Sequence, residues 1–358
     1  MLLNRAPSTA APIDGSLWVH RLPAATGRVS WFDARAVPWT VLGLAATAGL
    51  FAQPLTERFA PWPFVIALAC FGMPHGAADW TVAARLSGRT GLPAKLWGFG
   101  SYLLLMLVSI ALLAWQPGIT SLLFLVLTVV HFGMADATAV GADDDGRAAR
   151  WGLVFARGFL LLSCVFAANP GRAWAPFERI AESMPVALRP AWQPDLQVLQ
   201  QLAWAGIATG VVLAIVSATA RLRAGHRRDA ALDLAEHALV AVMASFADPL
   251  CAVGCFFLGV HAFRHTRRLA CSSTIIDAPG QPHHAHDTIA ARLVRVHLLS
   301  LPLMVPTVGC LALLCWWLGG FDVESLAVAS IAFYIITTLP HHLLGLRLAR
   351  PDLPPAAA

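Results

Sequence analysis

Uncharged apolar stretches of membrane-crossing length recur along the chain, and no other feature restricts its fold so strongly. They occupy residues 36–56, 59–78, 96–135, 196–220, 296–321 and 325–346, each near or above the roughly 20 residues that carry a helix across about 30 Å of hydrocarbon. Lipid offers no hydrogen bonds to a backbone, so stretches of this kind fold as helices. The double-length stretch 96–135 breaks at Gln116-Pro117-Gly118, a turn signal, and so predicts two helices. Three weaker spans fill the gaps: 151–168 despite Arg157, 230–246 despite Asp233 and Glu236, and 249–263 after the Asp248-Pro249 break. The expected fold class is therefore all-α, a polytopic transmembrane helix bundle of about ten helices, or eight if the pair at 230–263 only re-enters the bilayer.

Composition agrees with a lipid solvent. Hydrophobic residues make up 58% of the 358 and charged residues 13%, with a mean hydropathy of +0.65, a balance too apolar for a soluble globule of this size. The net charge of +5 belongs to arginines in loops rather than to a nucleic-acid surface. With a cytoplasmic N-terminus, the outer loops carry Arg58, Arg172, Arg179 and Arg189, whereas nineteen of the 25 Lys and Arg fall on the inner side, the bias expected of an inner-membrane protein with both termini cytoplasmic. Residues 1–37 then form a cytoplasmic extension, 38–346 the transmembrane catalytic bundle and 347–358 a cytoplasmic tail. The first 35 residues, with Arg5, Arg21, Arg28 and Arg35 and no apolar core, predict no signal peptide. The outer loop 170–195, rich in Pro and Trp, is expected to lie along the interface, and 271–287 to be a polar inner loop. The seven cysteines mostly sit in apolar runs and predict buried packing; Cys251 and Cys255, one turn apart, lack a matching pair that would suggest zinc.

Chemistry resides in the histidines, because an ionisable residue inside a span is costly and faces the bundle interior. His75 lies in Gly72-Met73-Pro74-His75-Gly76-Ala77-Ala78-Asp79, His131 in His131-Phe132-Gly133-Met134-Ala135-Asp136, His261 and His265 in His261-Ala262-Phe263-Arg264-His265, and His341 in Pro340-His341-His342. The four helices concerned all run in the same direction, and each carries its histidine near the cytoplasmic end, so several imidazoles converge at one depth. His261 and His265 are separated by about 40° around a helix and about 6 Å along it, so both can reach one metal ion.

Imidazoles suit zinc, copper, nickel or iron, and an iron with open positions accounts for the apolar setting. Asp79, four residues after His75, can accept an imidazole N–H from a ligand or complete a two-histidine, one-carboxylate triad. Asp136 points about 140° away from His131, which disfavours direct ligation. His237 and His297 read as helix–helix hydrogen-bonding residues, and adjacency to His341 argues against His342. His283, His284 and His286 read as loop residues. Arg157 and Arg264 read as side chains snorkelling to the interface, and Phe132, Phe256, Phe263 and Met73 as lipid-facing or core residues.

The four histidine motifs, with Thr338-Leu339-Pro340 before His341, resemble together the Brp/Blh family of β-carotene 15,15′-dioxygenases, over roughly residues 62–346. The resemblance implies a membrane enzyme that uses Fe²⁺ and O₂ to cleave β-carotene at its central double bond into two all-trans-retinal molecules. By motif, the implied iron ligands are His75, His131, His261 and His265, while the roles of His341, Asp79, Asp136 and His237 stay open. Two other readings compete. A membrane di-iron desaturase or hydroxylase would need about twice as many histidines, and a transporter of metal or apolar ligands would want several membrane carboxylates. A retinal-binding photoprotein is disfavoured by its need for a lysine within a helix: Lys95, the sole lysine, stands at a helix start.

Overall fold

The computed structural model describes residues 34–86, 92–184, 192–276 and 288–348. Among these, every regular element is helical. The predicted extension up to residue 33, the His283, His284 and His286 cluster and the end of the tail lie outside the described residues.

The chain opens with α1 (Ala36–Phe51) and the short α2 (Gln53–Arg58). The predicted span 59–78 is not one helix. It divides into α3 (Trp62–Cys70), α4 (Gly72–Ala77) and α5 (Asp79–Leu86), as expected where Gly72, Pro74 and Gly76, all poor formers of helix interiors, follow one another closely. Next come α6 (Leu92–Trp115) and α7 (Pro117–Ala139), parted at Gln116 as the turn signal predicts, then α8 (Arg147–Ala168). Gly141 and Gly146, at φ 72° and 93°, bracket the turn between α7 and α8, a conformation that costs a glycine little.

The loop after α8 departs from expectation. Pro170–Glu182 forms a helix, α9, started by Asn169, whose side chain accepts the Arg172 backbone N–H. Its alanines and aromatics, Ala173, Trp174 and Phe177, are buried against the bundle, so it seals one end rather than lying free along an interface. The chain continues through α10 (Leu196–Arg223), α11 (Arg227–Phe246), α12 (Pro249–Phe256), a π-helical turn at Phe257–Ala262, α13 (Phe263–Ala270), α14 (Ser273–Ile276), α15 (Ile289–Trp317) and α16 (Val323–Gly345).

Five helices, α7, α8, α10, α15 and α16, are long and apolar enough to cross a bilayer. The other predicted crossings are shorter, broken or charge-bearing. Helix α8 lies deepest, packed on α7, α10 and α11. At the periphery, α6, α10 and α15 turn Leu107, Val212, Leu298, Val305 and Leu313 outward, the surface that acyl chains require. This is an all-α membrane protein.

Close approach between helices uses glycine. A Cβ on Gly133 of α7 would overlap the Val154 backbone of α8, and one on Gly158 of α8 would overlap the Val129 backbone of α7. The two helices therefore touch backbone to backbone, in the small-residue mode that replaces hydrophobic driving force within lipid. His131 sits between these two contacts on α7.

Candidate metal centre

Four separated stretches of the chain bring histidine rings together. His75 comes from α4, His131 from α7, His261 and His265 from the π-turn and α13, and His341 from α16; all five are buried. Ring centroids of His75 lie 5.7, 5.1 and 5.1 Å from those of His261, His265 and His341. His131 lies 4.6 Å from His261 and 5.2 Å from His341, and His265 lies 5.0 Å from His341. One nitrogen each from His75, His261 and His341 fall within 4.8 Å of one another, a set able to hold a metal ion.

Hydrogen bonds decide which ring atoms face inward. His75 Nδ1 is 2.8 Å from the Phe71 carbonyl oxygen; a carbonyl only accepts, so Nδ1 carries the proton and donates, leaving the Nε2 lone pair free. Likewise His341 Nδ1 donates to Asp79 Oδ2 at 2.7 Å, and the Tyr102 hydroxyl bonds the same carboxylate. An imidazole steadied through one nitrogen by a carboxylate is the arrangement that orients metal ligands. Both ring nitrogens of His261 and the Nε2 atoms of His265 and His341 are buried without a hydrogen-bond partner. Orphaned nitrogens of this kind are costly in isolation, and a bound divalent cation would satisfy them, so the residues present fit a metal.

The structure redistributes several expected roles. Asp79 does serve an imidazole, but that of His341 across the bundle; it opens α5, whereas His75 belongs to α4, the two helices meeting at Ala78. His342, disfavoured on adjacency, reaches the cluster edge with Nδ1 3.2 Å from His131 Nδ1. His297 hydrogen-bonds the Cys70 carbonyl, joining α15 to α3 as its reading predicts. Phe132, Phe256, Phe263 and Met73 are core residues.

Asp136 and His237 belong to a different layer. Asp136 Oδ2 lies 2.8 Å from Arg157 Nη1 and 3.1 Å from Arg264 Nη1, and Arg264 also pairs with Glu236 at 2.8 Å. Arg157 pairs with Glu236 too, Trp39 Nε1 donates to Glu236 at 2.9 Å, and Arg35 pairs with Asp233 at 2.9 Å. Arg157 and Arg264 thus do not snorkel: at 0% and 1% exposure they are ion-paired inside the protein. His237 is buried beside Glu236, and it is not among the three histidines whose nitrogens lie within reach of one ion. This network ties α1, α7, α8, α11 and α13 together, and two of its members, Asp136 and Arg264, share helices with His131 and His265. Its one sequence signal was charges of both signs inside apolar spans, whose pairing only tertiary structure reveals.

A cavity of about 250 Å³ adjoins the cluster, with His75, His131, His261 and His341 in its wall. The remainder of the wall is mostly apolar, including Phe132, Phe257 and Tyr334, the last with its ring tilted against that of Phe257 at a centroid distance of 4.7 Å.

Fold and site together define an integral membrane protein in which buried imidazoles from separate helices converge at one end of an apolar cavity. Residues 66–349 match the β-carotene 15,15′-dioxygenase family, and the chain belongs to that family. A protein of Halobacterium salinarum named probable β-carotene 15,15′-dioxygenase Blh is 27% identical over 325 residues, covering 86% of this chain and 90% of the relative. A β-carotene 15,15′-dioxygenase of the uncultured marine bacterium 66A03 is 32% identical over 79 residues, 22% of this chain and 29% of that one. No solved structure matches the chain.

Proposed function

We propose that this chain cleaves β-carotene at the central 15,15′ double bond into two molecules of all-trans-retinal, using O₂ and an iron ion held by buried histidines. The observation that carries the reading is the junction of the two halves of the site: unpartnered imidazole nitrogens of His261, His265 and His341 at one end of an apolar cavity. Family membership supplies the reaction. In the net reaction the C15=C15′ bond breaks, one O₂ is consumed, and each carbon ends as an aldehyde carbonyl.

His75, His261 and His341 would hold the ion on one face, with His131 and His265 completing the set. Iron bound there supplies the oxygen-binding and redox chemistry that side chains lack. The chain's own residues do the rest. Phe71 and Asp79 hold the Nδ1 protons of His75 and His341, fixing which nitrogen faces inward. Phe132, Phe257 and Tyr334 exclude water and align a polyene against the cluster. Asp136 and Glu236 compensate Arg157 and Arg264, so the ligand-bearing helices α7 and α13 are held without a net buried charge.

The setting follows from the substrate class: a C40 polyene dissolves in lipid, and a bundle in the cell's inner membrane meets it there. Residues 1–37 and 347–358 would face the cytoplasm, which a C-terminal fluorescent reporter that fails to mature outside the cytoplasm checks directly. Expression in bacteria that accumulate β-carotene tests the function. Loss of orange colour with accumulation of retinal is expected; β-carotene persisting beside correctly inserted protein would refute the assignment.

A further inference from the structure

The cavity reaches well beyond the histidines. On α16 its wall runs from His341 through Thr338 and Tyr334 to Ile331, ten residues that span about 15 Å of helix. On the α12 side it runs from His261 through Val253 to Leu250 and Pro249, a comparable distance. Helix α9 closes the far end, where Ala173, Pro176 and Phe177 form the wall. Arg172 anchors that closure to two other elements, 2.6 Å from Glu57 of α2 and 3.3 Å from Asp248, the N-cap of α12. Along its side, the wall includes the exposed Leu103 of α6 and the exposed Pro306 and Cys310 of α15. Those two helices pack on α16 and barely on each other, so the cavity has a lateral mouth towards lipid as well as a closed arm.

We propose that the closed arm receives one ring-bearing half of a C40 carotenoid, and that its length, set by α9, selects the central double bond for cleavage. This inference rests on the carotenoid-cleaving reading above. An extended chain advances about 1.2 Å per bond, so the nine bonds from the central carbon to the ring occupy about 11 Å and the ring brings the half-molecule to about 15 Å. That matches the distance from the histidines to the end wall. A ring stopped against Ala173 and Phe177 therefore leaves the 15,15′ bond beside the cluster, and the second half goes to the lateral mouth. Arg172 holds the stop in place.

The test compares aldehydes formed by the purified, iron-containing protein and by two variants, with β-carotene and with β-apo-8′-carotenal, which keeps one ring-bearing half. Wild type should release retinal from both substrates. Ala173→Phe shortens the arm, so retinal should fall at least tenfold while aldehydes of unequal length appear from β-carotene. Phe177→Ala lengthens it and should likewise give unequal aldehydes, and it decides the matter should Ala173→Phe fail to fold. Retinal as the sole product, at the wild-type rate, from whichever variants retain wild-type iron content would overturn the measuring role and leave the proposed function standing. A wild-type protein that holds iron yet forms no retinal would overturn both.

Discussion

At the scale of single residues, the pairing of Asp79 with His341 carries the most information. A carboxylate that only orients an imidazole should matter less than the imidazole itself. His341→Ala is expected to abolish metal binding and turnover together, whereas Asp79→Asn should weaken metal affinity by about 10–100-fold without changing the product, as read by metal competition and product analysis. Equal effects of the two variants would contradict the assignment. The ion pairs behind the cluster predict a different signature: Arg264→Ala strands Asp136 and Glu236 without one of their cations and should cost about 3–5 kcal/mol of stability, seen as a lowered melting temperature in detergent. The histidines were legible in the sequence because an ionisable side chain within an apolar span is too costly to bury unless it binds or reacts with something there. The partner of Asp79 was not, because His341 stands on α16, far away in sequence, and helical periodicity relates only residues of one helix.

Among the elements, two departures from plain α-helix shape the centre. The π-turn Phe257–Ala262 ends beside His261 and leads directly into α13 with His265, the kind of local irregularity that accumulates where side chains must be re-aimed. The broken run α3–α4–α5 sets His75 at the end of a turn whose Phe71 carbonyl accepts both its backbone N–H and its ring N–H. Packing positions the third element: Gly133→Ala would force α7 away from α8 and should lower stability by about 1–3 kcal/mol while shifting His131. Gly309→Ala on α15, where a Cβ would meet nothing within 4 Å, provides the control and should change the melting temperature little. The long apolar helices α7, α10, α15 and α16 were readable from uncharged stretches alone, and α8 as a weaker span because Arg157 interrupts it. Helix α9 was not, since Pro170, Pro176 and its tryptophan resemble loop composition, and its helicity depends on the Asn169 cap and on the bundle surface beneath it.

The whole molecule is a bundle with lipid on its flanks and its polar groups gathered in two interior layers, one of imidazoles and one of paired charges. Hydropathy made the first property visible, and charge alternation between loops predicted the orientation. The depth of the arm and its closure by α9 could be known only after assembly, because they depend on helices distant in sequence. The central claim is that the clustered imidazoles hold one metal ion on which cleavage depends. Metal content and retinal formation measured in the same purified preparation, before chelation, after it and after iron is restored, test this most directly. The account predicts about one ion per chain, with activity lost and regained in step with it. Retinal formed at an undiminished rate by fully metal-free protein would contradict it.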